Sequence, residues 1–536
     1  MKGLMQDWPL LVHTVIDHAA QNHGEREVVS RTPAGPIERI SYAEINLRAR
    51  KLASALKARG YGDGDVIATM AWNGARHLES WYAIAGLGAV CHTLNPRLFE
   101  EQLVYIINHA GDRVLFVDPD LAPLLAPLVD RLETVERYVV MGSSADGSSL
   151  PDAIAYDELL DGAPAHGAWP VLDERSPMML CYTSGTTGNP KGVAYSQRST
   201  YLHTISTLAD FAIWPTDNVL LVVPMFHAAA WGYPFAATTV GAKLTYPGPD
   251  LSAEVLVDLV ADEAVTFSIG VPTVWLGIQQ HLMANPDADM SSMRALLCGG
   301  AAVPRAMIEW FARERDIRVV QGWGMTETNP IASMALLKPE METWDLERQL
   351  DVMESGGRVI AGLQVKIVDE EGNDLPHDGV AFGELLIRGP WVAAEYYKDP
   401  RTAETFVDGW MRTGDVCKIT PSGYIRIIDR SKDVIKSGGE WISSLDLENI
   451  LMAHPGVVEA TVVGVKHAEW GERPVAFVVH VQGAEPTSEE LLQFLDGKVA
   501  KWWLPDLIVR VDDIPKTGTG KFDKKVVRDQ YRDLYL

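Results

Sequence analysis

The amino-acid sequence predicts an α/β protein. A large N-terminal domain would combine two βαβ-type subdomains with a β-barrel-like subdomain, and a small α+β C-terminal domain would follow. Three observations lead there. Helical and strand periodicities alternate as far as Val320, the pattern of βαβ units on a mostly parallel sheet. From about Gly357 strands succeed one another without long helices between them. At 536 residues the chain also exceeds the size at which a single core stops growing, so two or more domains are expected.

The elements follow in order. Tyr42 to Gly60 carries apolar residues at helical spacing and ends on a glycine stop. Val66 to Met70 reads as a strand and His77 to Ala89 as a helix; Leu115 to Asp118 and Val139 to Met141 are further short strands, and Met178 to Cys181 a buried one. The apolar run Val219 to Ala242 is long enough to span a bilayer, but Pro224, His227 and Pro234 interrupt it. A strand followed by a helix accounts for it better, and no transmembrane segment is assigned. Thr266 to Pro272 is a strand running into a loop. Val365–Asp369, Gly383–Gly389 and Gly423–Asp429 are the strands of the barrel-like part. Beyond a polar junction at Asp429 to Asp433 come a helix, strands at Ala460–Val465 and Pro474–Val481, and a helix from Ser488. The domain boundary is placed at Arg430 to Lys432.

Composition narrows the function. The chain is 47% hydrophobic and 22% charged, as soluble globular proteins are, and its formal charge of −25 opposes binding to nucleic acid or anionic lipid. Cys91, Cys181, Cys298 and Cys417 form no C-x-x-C pair, which fits buried thiols in a reducing compartment. The N-terminus lacks the pattern of a signal peptide, so a cytoplasmic setting is expected.

The most informative stretch is Tyr182-Thr183-Ser184-Gly185-Thr186-Thr187-Gly188-Asn189-Pro190-Lys191-Gly192. Glycines let backbone N–H groups turn toward a bulky anion, hydroxyls add donors, and a lysine adds charge. Such a loop is suited to phosphate. It is not a Walker A loop, because Pro190 stands where the glycine before the lysine should be. Lys516 to Lys521 fails the same test, with Pro515 in place of the first glycine and Phe522 in place of the final Ser or Thr.

Other clusters follow along the chain: Val223-Pro224-Met225-Phe226-His227; Cys298-Gly299-Gly300-Ala301-Ala302, a small-residue strand end where a flat ring could lie; and Gln321-Gly322-Trp323-Gly324-Met325-Thr326-Glu327-Thr328. Trp410 to Asp415 sets an aspartate just after a tight turn, and Lys521 sits on a glycine-bearing loop near the C-terminus. Together, in this order from about Ser41 to Lys525, these resemble the adenylate-forming superfamily of acyl-CoA synthetases, luciferases and peptide-synthetase adenylation domains. Asp433 to Ser443 and Trp502-Trp503-Leu504-Pro505-Asp506 look most like medium- and long-chain fatty acyl-CoA synthetases.

The resemblance implies a two-step reaction. A carboxylate attacks the α-phosphate of ATP to give acyl-AMP and pyrophosphate, and the thiol of CoA then displaces AMP. Catalysis of the first step is positioning and electrostatic stabilisation. On this likeness Thr183, Ser184, Gly185, Thr186, Thr187 and Lys191 cradle the β- and γ-phosphates. Thr326 binds the α-phosphate and Glu327 holds Mg2+, which prefers oxygen ligands. Gly300, Ala301, Ala302, Gln321, Gly322, Trp323, Gly324 and Met325 surround the nucleotide. Trp323 stands where relatives usually have tyrosine, keeping an aromatic face but losing the hydroxyl. Asp415 accepts both ribose hydroxyls, with Arg430 beside it. Lys521 reaches the α-phosphate and the substrate carboxylate.

For the second step the small domain (434–536) would rotate about a hinge (430–433), with Lys432 as pivot and Lys436, Gly438 and Trp441 serving the CoA step. His227 would stand at the reacting centre and, with Trp231, Gly300 and Gly324, in the acyl pocket. Acetyl-activating relatives fill the position of Gly324 with tryptophan, so glycine here opens the pocket, and Trp231 matches a residue that gates the tunnel in some long-chain enzymes. The expected activity is therefore a medium- or long-chain fatty acid–CoA ligase. The alternatives are a ligase for a short, branched or sulfur-containing acid such as methylmercaptopropionate, or a non-catalytic acyl-binding homologue. Intact Glu327, Asp415, Arg430 and Lys521 argue against the last. The partners are the acid, ATP and CoA, not nucleic acid; a homodimer and peripheral membrane contact are both permitted.

Overall fold

Two large sheets carry the N-terminal half, and the candidate loops hang from their strand ends. A computed structural model describes residues 3–165, 168–183, 189–438, 440–481, 483–516 and 522–531. The first sheet has seven strands, in the order Ile154–Ala155, Arg137–Val140, Asp112–Val117, Val66–Met70, Val90–Thr93, Pro177–Tyr182, Gly192–Ser196. All neighbours are parallel except the last two, which form an antiparallel hairpin. The second sheet has nine strands. Its parallel centre runs Arg318–Gly324, Ala295–Gly299, Phe267–Gly270, Asn218–Leu221, Lys243–Tyr246, Glu27–Arg31, with antiparallel strands at both edges.

Local chemistry explains the helices that cover these sheets. Tyr42–Ala58 begins at a capping box, in which Ser41 and Glu44 satisfy each other's backbone N–H, and buries Tyr42, Ile45, Ala49, Leu52, Ala53 and Leu56 on one face. Ala75–Leu87 is buried almost all round and stops at Gly88, whose φ of 90° is left-handed. The strand at Phe267–Gly270 runs into a helix, Pro272–Ala284, rather than the expected loop. Pro272 at the first helical position explains the difference: its missing N–H costs nothing there.

The barrel-like part is a five-stranded antiparallel sheet built on Gln364–Val368, Phe382–Arg388 and Trp410–Ile419, with Phe406–Val407 and Ile425–Arg430 pairing to the last of these. The C-terminal domain pairs Val457–His467 with Gly471–His480 and covers them with Ser444–Met452 and Ser488–Leu495. Its core is Ile435, Ile442, Leu447, Leu451, Val462, Val478, Leu491 and Leu495. All four cysteines are buried. Among the described residues no helix is long and apolar enough to cross a membrane.

Candidate functional site

The glycine- and threonine-rich stretch joins the two strands of the hairpin at the end of the seven-stranded sheet. A Walker A loop leads into a helix; this one returns into a strand. Ser184, Gly185, Thr186 and Thr187 lie outside the described residues, as does Lys521. The neck of the loop is defined: the Thr183 N–H donates to the Lys191 carbonyl at 2.9 Å and the Lys191 N–H to the Thr183 hydroxyl at 3.3 Å. The Lys191 ammonium lies 4.3 Å from the centre of the Tyr396 ring, a cation–π distance.

Glu327 sits in a short 3₁₀ turn, Thr326–Thr328, and is buried. Tyr396 donates its phenol to Glu327 Oε1 at 2.8 Å, while Tyr195 donates to the Thr326 carbonyl at 2.7 Å. Among the described residues no three His, Cys, Asp or Glu side chains cluster as a metal cage. One carboxylate and a neighbouring hydroxyl are hard oxygen donors of the kind that supplement a nucleotide's own oxygens around Mg2+, so Glu327 and Thr326 fit that cation.

Asp415 does not follow a turn, as expected, but lies inside the ten-residue strand Trp410–Ile419, directly opposite Arg430. Gly414, with φ of 70°, bends that strand, and the buried Asp415 carboxylate meets Arg430 and Trp323. Arg430 Nε approaches Oδ1 at 2.9 Å and the Trp323 indole donates to Oδ2 at 2.9 Å, while the Asp415 N–H donates to the Thr413 hydroxyl at 3.1 Å. The indole N–H thus ties Trp323 to the aspartate.

The Gln321 amide is spent on the chain itself: its Oε1 accepts from the Val303 N–H at 2.9 Å and its Nε2 donates to the Glu354 carbonyl at 3.2 Å. It anchors Val303, the residue after the Gly300–Ala302 stretch. Gly324 faces the carbonyl of Pro330, and a Cβ there would lie 2.0 Å from that oxygen. A glycine is therefore required by the hairpin that holds Met325, independently of pocket size.

His227 and Trp231 flank an unusual segment. Ala228, Ala229, Ala230 and Trp231 all have φ between 43° and 58°, and Gly232 follows at 77°. Left-handed conformation costs an L-residue roughly 1–2 kcal/mol. The segment is almost wholly buried, and it aims the Trp231 indole at the glycine corner of the neighbouring strand: Cβ atoms at Gly299 and Gly300 would lie 3.4 and 3.7 Å from the ring. His227 is half-buried at the entrance to this turn.

At the junction to the small domain the N–H groups of Asp433 and Val434 both donate to the Arg430 carbonyl, at 2.8 and 2.9 Å, leaving Lys432 exposed on the outside of the turn. The Asp429 carboxylate accepts from the Ser444 N–H at 2.7 Å and its hydroxyl at 2.5 Å. Ser443 donates to the Ile428 carbonyl at 2.5 Å. Lys436 reaches Glu370 at 2.6 Å, and the Trp441 ring lies 5.4 Å from Phe382, so this hairpin leans on the antiparallel sheet. Gly438 has φ of 61° and lies under Trp470. The structure thus gathers Lys191 and Glu327 around Tyr396, with Thr326 held beside them by Tyr195, and Trp323 and Arg430 around the Asp415 carboxylate. Lys436, Gly438 and Trp441 instead meet Glu370, Trp470 and Phe382, respectively. Sequence reasoning missed Tyr396, whose only signal was a paired tyrosine in Glu395-Tyr396-Tyr397-Lys398.

Comparison with known proteins agrees with this geometry. The profile of the AMP-binding enzyme family matches residues 16–397, and that of the AMP-binding enzyme C-terminal domain matches residues 446–521. A 3-methylmercaptopropionyl-CoA ligase from Ruegeria lacuscaerulensis is 46% identical over 99% of both chains. A medium-chain-fatty-acid–CoA ligase from Ectopseudomonas oleovorans is 43% identical over 100% of this chain and 98% of its own. The crystal structure of ATP-bound MatB from Rhodopseudomonas palustris superposes with a TM-score of 0.82 at 26% identity, over 98% of this chain and 100% of that one. The chain belongs to the AMP-binding, adenylate-forming family and is an acyl-CoA ligase.

Proposed function

We propose that this enzyme joins a short apolar carboxylic acid, of the 3-methylmercaptopropionate class, to CoA at the expense of ATP. The observation that carries the reading is the Trp231 indole laid against Gly299 and Gly300, where it would shorten the space open to an acyl chain. The identity to a 3-methylmercaptopropionyl-CoA ligase supports it. A second reading, a medium-chain fatty acid, is favoured by the 43% relative and requires Trp231 to swing off the glycine corner.

In the first step ATP would lie with its ribose hydroxyls on Asp415, its adenine along Trp323 and its terminal phosphates in the 183–191 loop. Arg430 and the Trp323 N–H leave Asp415 oriented as an acceptor before the nucleotide arrives, so little order need be imposed on binding. Mg2+ would neutralise phosphate charge when bound at Glu327 and Thr326. Lys521 would supply the charge that lets the two anions approach. Rotation about the 430–433 turn would then bring Gly438 to the site for attack by the CoA thiol.

The test is pyrophosphate release with Mg-ATP over 3-methylmercaptopropionate and straight-chain acids from acetate to palmitate, with and without CoA. CoA-dependent turnover highest for acids of four to six backbone atoms is expected (about that length, since a methylene contributes only about 1–3 kcal/mol of discrimination). Trp231→Ala should move the optimum to longer chains. A parent enzyme that already prefers dodecanoate or longer would refute the short-acid reading.

A further inference from the structure

The segment following Phe382–Arg388, the second strand of the antiparallel sheet, touches both halves of the phosphate site. The Ala393 N–H donates to the Glu327 carbonyl at 2.8 Å, and the Tyr397 N–H to the Gly192 carbonyl at 2.8 Å. Arg401, braced by Asp399, donates to the Asn189 carbonyl at 3.1 Å. Within this strap Tyr396 is buried, its N–H donating to the Thr402 hydroxyl at 2.9 Å. Its ring faces the Lys191 ammonium at 4.3 Å and its hydroxyl donates to Glu327 Oε1 at 2.8 Å. One side chain therefore stands between the loop lysine and the buried carboxylate.

We propose that Tyr396 is a positioning residue that presents Glu327 to the cation of the nucleotide and sets its distance from the phosphate loop. A glutamate side chain has three rotatable bonds, and a carboxylate held at one oxygen has its other oxygen aimed in a fixed direction. The phenol occupies Oε1 and leaves Oε2 for the metal. The Lys191 ammonium over the face of the ring makes loop and carboxylate share one rigid spacer. The proposal rests on the assignment of Glu327 to the cation.

The experiment is equilibrium binding of Mn2+ to the enzyme–ATP complex, followed by electron paramagnetic resonance, for the parent, Glu327→Gln, Tyr396→Phe and Tyr396→Leu. Thermal unfolding of each variant without ligand, together with binding stoichiometry, separates misfolding from weakened affinity. Tyr396→Phe keeps the ring under Lys191 and removes only the hydroxyl; it should retain one site per chain and weaken Mn2+ about tenfold, the effect of losing one hydrogen bond to a charged group. Tyr396→Leu should weaken ATP in addition. Mn2+ binding that falls for Glu327→Gln but is unchanged for Tyr396→Phe overturns the positioning role. Binding unchanged in Glu327→Gln overturns the metal assignment, and the proposal with it.

Discussion

Gly324→Ala separates two accounts of the same glycine. If Gly324 matters because it leaves the acyl pocket open, one methyl group should trim the longest acids and spare the short ones. The geometry predicts otherwise. The new Cβ would stand 2.0 Å from the Pro330 oxygen, 2.8 Å from its carbonyl carbon and 3.1 Å from Ile331 Cα, all backbone atoms. Relief requires the 324–331 hairpin to open by about 1 Å, against the overlap cost of about 1–3 kcal/mol typical of overpacking. Opening also strains the bond from the Met325 N–H to the same carbonyl, 3.1 Å long, and the one from Thr328, together worth about another 1 kcal/mol. The expected loss is about 2–4 kcal/mol, and it falls on the turn that carries Thr326 and Glu327. Scanning calorimetry should register a lower unfolding temperature, and ATP–pyrophosphate exchange should fall by the same factor for acetate, butyrate, hexanoate and octanoate. A variant with the parental unfolding temperature that loses only the longer acids would refute the steric account.

Three further outcomes are expected. Trp323→Phe keeps the aromatic face but removes the donor to Asp415, and titration calorimetry should find ATP bound about tenfold more weakly, with Arg430 preserving the remainder. Gly438→Leu should spare pyrophosphate exchange and abolish thioester formation; equal loss of both half-reactions would contradict a role confined to the CoA step. The third concerns acid stability. Burial lowers the pKa of His77 to about 4 and of His203 to about 3, so both are neutral in the folded protein. Their stabilising contribution is complete above the unfolded value of 6.5 and is lost as pH falls from there toward 4 and 3. Glu79 and Asp118, whose carboxyls burial raises to about 7, respond in the opposite sense, so the informative quantity is a difference. Between pH 6.5 and 4, His77→Gln should lose less stability in denaturant titrations than the parent does, and a parallel pair of curves would contradict this.

Periodicity made much of the fold legible. Val66–Met70 and the helix starting at Tyr42 stand where the apolar spacing put them, and the change of texture near Gly357 does precede the five-stranded antiparallel sheet. Two features were not legible because they are decided by backbone torsions. Gly414 reads as a turn glycine in isolation, yet a φ of 70° inside a paired strand makes a bend that only its partner Ile425–Arg430 reveals. Four consecutive left-handed residues in Ala228-Ala229-Ala230-Trp231 have no local signal at all, because alanine and tryptophan both prefer the right-handed region. In the site, residues adjacent in sequence to a glycine motif were readable. Tyr396 was not, because its contact with Glu327 spans 69 residues and depends on how the antiparallel sheet sits against the hairpin of the phosphate loop.

The bond between Asp429 and Ser444 bears on the timing of the reaction. That carboxylate belongs to the strand before the 430–434 turn and the serine to the start of the helix after it, so any rotation at Lys432 must strip the helix of this partner and pull Ser443 off Ile428. Each such loss costs about 1 kcal/mol. Together they bias the arrangement described by roughly ten- to a hundredfold. A bias of that size would hold the described arrangement at rest. It is also small enough for a bound acyl-adenylate and the departure of pyrophosphate to reverse, so the chemistry of the first step would itself release the catch on the second.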